Sequence, residues 1–163
     1  MQKPIYEERL YSPWNLIMIG AVGLVPLVVL VWQLLVGPPG TRPAPSWFLA
    51  ATALLFLALR VNFSALTVRV TTDGLCVSYG IIRHRVPWHD ISDCRPDESS
   101  IAAYAGWGIR IGRVQGKARL GFTTPGIPRV VVGKRQGRCL EFAFSTRNPE
   151  GVMRAIRQGL GRA

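Results

Sequence analysis

Residues 83–94, RHRVPWHDISDC, gather two arginines, two histidines, two aspartates, a tryptophan and a cysteine. Those residue types could hold a metal ion, or activate a thiol through a neighbouring imidazole. A structural zinc centre wants four converging ligands, and the whole chain has only two histidines. Strand alternation sends His84 to one face with Ile82, Val86 and Trp88, and Arg83 and Arg85 to the other. His89 falls beyond Pro87, in a turn. The flanking arginines would oppose a bound cation. Nucleophilic catalysis by Cys94 needs His89 aligned as base and a third group to orient it, and no such set is visible. The expectation is therefore structural: Trp88 and His84 pack, while Asp90 and Asp93 cap the next turn or pair with arginine. No catalytic residue, metal or cofactor is assigned.

The elements that position this stretch are divided sharply by hydropathy. The chain has 163 residues and a formal net charge of +11, yet a mean hydropathy of +0.21. The apolar residues must then be concentrated, and no charged residue occurs between Arg9 and Arg42. Residues 14–36 are almost wholly apolar, long enough for the roughly 20 residues that cross a bilayer. The run exceeds a signal-peptide core and lacks a small-x-small site soon after it. GPPGTRPAPS, within the loop 37–45 and its edge, ends the helix. Residues 46–63 carry a second, shorter apolar run. Arg60 can snorkel to headgroups, and Ala50, Ala51, Thr52 and Ala53 suit close packing on the first helix. The expectation is a transmembrane helical hairpin over 14–63, preceded by an N-terminal tail at 1–13. Trp14 and Trp47 suit its interfaces, and Pro26 is read as a tolerated kink.

Arginine and lysine bias places both termini in the cytoplasm, on a two-pass protein of the cell membrane. Three scattered cysteines, Cys76, Cys94 and Cys139, fit reduced thiols there.

Residues 64–163 read as β structure closed by one helix. LTVRVT alternates, TDG turns, LCVSYG returns and IIRHRVPW alternates again. GIRIGRV, PRVVVGK and RCLEFAF follow, the last with Leu140, Phe142 and Phe144 on one side. Asn148 is an N-cap with Pro149 behind it, and Val152, Met153, Ile156 and Leu160 form the apolar stripe of the final helix. Its two glycines weaken it by about 1 kcal/mol each relative to alanine.

The order of these motifs resembles a bacterial pleckstrin-homology-like domain. Gly80, Arg83, Arg85, Pro87, Trp88, Asp90 and Ile91 fit its opening, YAGWGIR at 104–110 its middle, and FAFSTRNPEGVMRAI at 142–156 its close. The resemblance covers the whole C-terminal part. It implies an α+β fold: a curved antiparallel sheet or open barrel capped by one C-terminal helix. Members are often tethered by two N-terminal membrane helices and have no established catalytic residues.

The excess cations are Arg83, Arg85, Arg110, Arg113, Lys117, Arg119, Lys134, Arg135 and Arg138. They read either as a solvated basic face or as contacts to anionic lipid headgroups, each worth about 1 kcal/mol near an anionic leaflet. Nucleic acid is disfavoured, because no recognition helix or stacking platform is evident. Three function classes follow. The first is a membrane-anchored binding or scaffold module that engages a protein partner, itself in an oligomer, or lipid. The second is an accessory subunit acting through its hairpin. The least favoured is an enzyme using Cys94 and His89. The bend at 105–108, AGWG, is expected between strands.

Overall fold

The computed structural model describes residues 4–38, 40, 43–100, 106, 108–114 and 116–161. Arg42, Arg162 and, from the YAGWGIR motif, Tyr104, Ala105 and Trp107 lie outside the described residues. The chain divides into two compact units: Ser12–Ser64, and the residues up to Tyr11 together with those from Ala65 onward.

The first unit is a pair of helices. Helix α1, Pro13–Leu35, starts because Pro13 presets the first helical φ and the Ser12 hydroxyl accepts the Asn15 amide at 3.3 Å. It ends before Gly37, whose φ is +110°. Helix α2 is Ser46–Asn62. Each packs along the other through the glycines of α1. A Cβ added at Gly23 would lie 2.8 Å from Phe56 Cβ, and one at Gly20 would lie 3.2 Å from Arg60 Nη1. The close approach uses Gly20 and Gly23 of α1, and Ala50, Thr52 and Ala53 of α2 are half-buried.

Among the described residues, only α1 is long and apolar enough, by length and composition, to cross a membrane; it lies near the N-terminus. Just 6 % of its most apolar window is buried, unlike the core helix of a soluble domain. Of the two spanning helices expected, one meets this test of length and composition. The 17 residues of α2 fall short of the roughly 20 a perpendicular span needs.

The second unit is α+β. Strands β1 (Tyr6–Tyr11), β2 (Ala65–Thr71), β3 (Gly74–Tyr79) and β4 (Ile82–Pro87) form one antiparallel sheet in that order. The segment expected to be a tail thus supplies an edge strand, with Tyr6 opposite Val70 and Tyr11 opposite Ala65. Strands β5 (Ile91–Pro96), β6 (Gly108–Val114), β7 (Lys117–Thr123), β8 (Arg129–Lys134) and β9 (Glu141–Ser145) form the other sheet, ordered β5-β8-β9-β7-β6. Its β7–β9 pair is parallel, so the expected all-antiparallel arrangement is corrected to one antiparallel and one mixed sheet.

Alternation fills the core. Leu66, Val68 and Val70 of β2 and Leu75, Val77 and Tyr79 of β3 are buried. From the mixed sheet come Phe122, Phe142 and Phe144, with Phe142 edge-on to Phe122 at 5.5 Å. The Tyr79 hydroxyl shares a 2.7 Å hydrogen bond with Thr124 Oγ1. Leu140 is 47 % exposed and precedes β9, so it does not share the inward face of Phe142 and Phe144.

Helix α3, Pro149–Leu160, is capped by Asn148, whose Oδ1 accepts the Gly151 amide at 2.9 Å. It packs on β2, β5 and β8. The residues it buries are Val152, Ala155, Ile156 and Gly159. Met153 and Leu160, expected in the stripe, are only half-buried. Glu8 ties β1 to the start of this helix: its carboxylate accepts from the Thr146 hydroxyl at 2.5 Å and from the Arg147 amide at 2.9 Å.

Candidate functional site: a basic sheet face

The dense stretch at 83–94 is a scaffold corner. His84 lies against the Phe142 ring, 4.6 Å between centroids. His89 sits exposed in a single 3-10 turn, Trp88–Asp90. Trp88 is buried and its indole N–H donates to Thr72 O at 2.8 Å. Asp90 accepts the Gln136 amide at 2.7 Å, and Asp93 pairs with Arg95 at 2.5 Å. Burial pushes the Cys94 thiol up to about 12, so at neutral pH it is a thiol rather than the thiolate that attacks. Among the described residues no three His, Cys, Asp or Glu side chains are grouped to hold a metal.

Burial also lowers the His84 pKa, with Lys134 acting in the same direction and Asp90 against it. The imidazole is held neutral in the folded state, so stability is full above the unfolded value of about 6.5. It is lost as pH falls from there through the folded value. Urea midpoints of the detergent-solubilised protein should drop between pH 7 and 5, and His84→Phe should flatten that drop. An unchanged slope in the variant would remove His84 from the account.

The cations do not form one surface. Arg83 and Arg85 are exposed on the outward face of β4. Strand register brings two others to that face. One row runs Glu7, Arg69, Cys76, Arg85 and the next accessible row Arg9, Thr67, Ser78, Arg83. Arg69, Arg83 and Arg85, together with Glu7 and Asp73, line a groove of about 630 Å³ whose floor includes Cys76 and Ser78; Arg9 stands outside it. Arg69 is paired with Glu7 at 2.7 Å. Arg83 and Arg85 have no acidic partner among the described residues, and Arg9 lies over the Tyr11 ring at 5.2 Å. The signal for Arg9 was the alternation of YEERLY, in which Glu7, Arg9 and Tyr11 share a side. Arg69 was legible as the outward residue of LTVRVT.

The remaining candidates lie on or beside the mixed sheet. Arg110 and Arg113 are exposed on β6, and Lys117 at the start of β7. Arg135 and Arg138 are exposed in the β8–β9 turn, whereas Lys134 is half-buried 3.8 Å from Asp90. Arg119 is withdrawn from the candidate surface. Its side chain is 5 % exposed and bonded to Glu141 at 2.6 Å and Asp97 at 3.0 Å. Asp97 also holds Arg129 at 2.8 Å, and Glu141 holds Arg95 at 2.5 Å. A guanidinium saturated by two buried carboxylates offers nothing to an external anion.

Comparison with protein-family models, curated proteins and solved structures finds no match.

The groove's geometry must therefore speak for itself. With Arg69 paired to Glu7, the guanidinium groups of Arg83 and Arg85 are the ones in the groove that suit planar or tetrahedral oxyanions, which arginine binds through paired N–H donors.

Proposed function

We propose that this chain is a membrane-anchored, non-catalytic binding module, whose helix pair tethers an α+β unit with a basic face on the cytoplasmic side of the cell membrane. That unit would act as a pleckstrin-homology-like scaffold, engaging anionic headgroups, a protein partner or a second copy.

One observation carries the tether. The chain leaves the antiparallel sheet at Tyr11 and re-enters it at Ala65, and these two residues are register partners. Strands β1 and β2, hydrogen-bonded to each other, must lie on one side of any bilayer. If α1 crosses, α2 has to bring the chain back. A short return helix is accommodated by local thinning of the bilayer and by snorkelling of a flanking cation, at fractions of a kcal/mol per Å of mismatch. Arg60, in the last turn of α2, is placed for that.

The arginine bias sets the sidedness: the β unit carries most of the charge, and cytoplasmic flanks are the ones enriched in lysine and arginine. Tethering also raises the local concentration of the basic face at the leaflet, so weak single contacts suffice.

Topology is checked with single cysteines in a background where Cys76, Cys94 and Cys139 are alanine. An impermeant maleimide applied to intact cells should label a cysteine at Pro43, in the connection between the helices. It should spare one at Thr72, in the β2–β3 turn, until the membrane is opened. Labelling of Thr72→Cys from outside, or recovery of the whole protein in the soluble fraction, would sink the reading.

A further inference from the structure

We infer that the β3–β4 hairpin tip is a membrane-docking wedge: Ile81 and Ile82 enter the interface of an anionic bilayer, Arg83 binds lipid phosphate behind them, and Arg9, in the same row on the opposite edge strand, binds a second. This rests on the membrane-anchored reading above and assigns a contact surface within it.

The placement follows from strand register. At the end of the sheet where the chain departs for α1 and returns from α2, Tyr11 pairs with Ala65. The next row is Leu10, Leu66, Tyr79 and Ile82, and between Tyr79 and Ile82 the chain turns through Gly80 and Ile81. The hairpin tip therefore lies at the helix-bearing end of the sheet. The connectors there are short: Ser12 alone separates β1 from α1, and Phe63 and Ser64 separate α2 from β2. That end of the sheet cannot travel far from a bilayer that α1 crosses.

The side chains at that end have the chemistry of an interface. Ile81 is 89 % exposed, Ile82 40 % and Tyr11 53 %. A two-residue hairpin loop needs a residue at positive φ, and Gly80 provides it at +52°. Nothing in the turn requires isoleucine next to it. A β-branched apolar residue at the apex of a tight turn is the opposite of the polar residues such turns favour.

One accessible row behind the tip stand Arg9 and Arg83, on the outward face with Thr67 and Ser78. Strands rise about 3.3 Å per residue, so Arg83 stands roughly 7 Å from the apex. That spacing matches the depth of about 5–10 Å to which interfacial apolar groups bury below the headgroups. Glu7, the acid of the outward face of β1, is bonded to Arg69, and Glu8 is bonded to Thr146 and Arg147. The two arginines of the outward row nearest that end of the sheet therefore keep their charge for an external anion. A protein partner would need apolar and anionic groups at the same spacing; a bilayer offers both, and the connectors to the helices are only one and two residues long.

The test uses the full-length protein in nanodiscs. Single cysteines at Ile81, at Thr72 on the far end of the sheet and at Val25 within α1 are introduced in the background without native cysteines and labelled with bimane. Quenching by nitroxide-labelled lipid and by aqueous iodide is compared in discs of phosphatidylcholine with phosphatidylglycerol. The Ile81 label should be quenched several-fold more by lipid than the Thr72 label. Arg9→Glu combined with Arg83→Glu should return it to the Thr72 level and leave Val25 unchanged. An Ile81 label that stays open to iodide while Val25 is quenched by lipid would overturn the wedge and leave the anchor standing. Protection of the Ile81 label from iodide without quenching by nitroxide-labelled lipid would mean a second copy or another protein covers the tip, and would also overturn it. Equal quenching after the double charge reversal would overturn the arginine contact. Loss of lipid quenching at Val25 would bring down the membrane reading itself.

Discussion

Arg119→Met is expected to destabilise the α+β unit by about 3–5 kcal/mol, the cost of leaving buried carboxylates without a counter-charge. The side chains of Arg119, Asp97 and Glu141 are 5 %, 1 % and 6 % exposed. Removing the guanidinium strips Asp97 and Glu141 of a shared partner at once. Glu141 would keep only Arg95, whose side chain is 46 % exposed and so screened by water. Replacing both members, Arg119→Met with Glu141→Leu, should cost less than the single change, because no buried carboxylate is stranded on β9 and Asp97 keeps Arg129. The measurement is the urea midpoint of the detergent-solubilised protein, followed by tryptophan fluorescence. Equal midpoints for wild type and Arg119→Met would show that the network is idle. The same network has an acid signature. Burial works to raise the Glu141 pKa, but the bonds and charges of Arg119 and Arg95 outweigh it and hold the carboxyl low. That stability is present above the ordinary glutamate range near pH 4.3 and disappears as pH falls through the folded value. Acid loss should therefore come in order: His84 first, below about 6.5, then Glu141.

Arg119 also marks where the sequence stops being legible. From the sequence Arg119 counts as one more cation of the basic face, since a charged residue in a sheet with one wet face is expected on the solvated side. In the structure the outer face at this point is dry, because Glu141, on the neighbouring β9, and Asp97, just past β5, close over the guanidinium. Those partners are distant in the chain, and local periodicity carries no information about them. Strand β1 was hidden for the same reason. Its pairing partner β2 lies beyond both helices, and two glutamates before a long apolar run look like a charged flank. What was legible was local: the period of β2 to β4 with its Asp-Gly turn, the Asn148–Pro149 start of α3, and the apolar length of α1. Of the basic face, Arg83 and Arg85 could be seen together on one strand. The company of Arg9 and Arg69 needed the register between strands.

The seam between α3 and Trp88 should be nearly as sensitive as the ion-pair network, and through a residue the sequence makes look like a flaw. Gly159 in a helix interior forfeits about 1 kcal/mol relative to alanine, so Gly159→Ala would stabilise an exposed helix. Here a Cβ at position 159 would lie 2.3 Å from Trp88 Cζ2 and 2.4 Å from Cη2. The indole cannot swing away freely, because its N–H is bonded to Thr72 O. Overpacking of this kind costs about 1–3 kcal/mol, more than the helix propensity returns. Gly159→Ala is therefore expected to lower the urea midpoint, and Gly159→Leu to lower it further. Trp88→Ala should cost about 3–5 kcal/mol, the range for deleting a buried aromatic ring. The pair should also be coupled: in a Trp88→Phe background the smaller ring leaves room, and Gly159→Ala should lose most of its penalty. Additive effects in that cycle would mean the helix does not rest on the indole. If the coupling holds, Trp88 is the post on which the C-terminal helix is set. It stands in the stretch that first looked like a reaction centre because a tryptophan, its turn aspartates and a packed histidine are what a sheet-to-sheet corner under a helix requires.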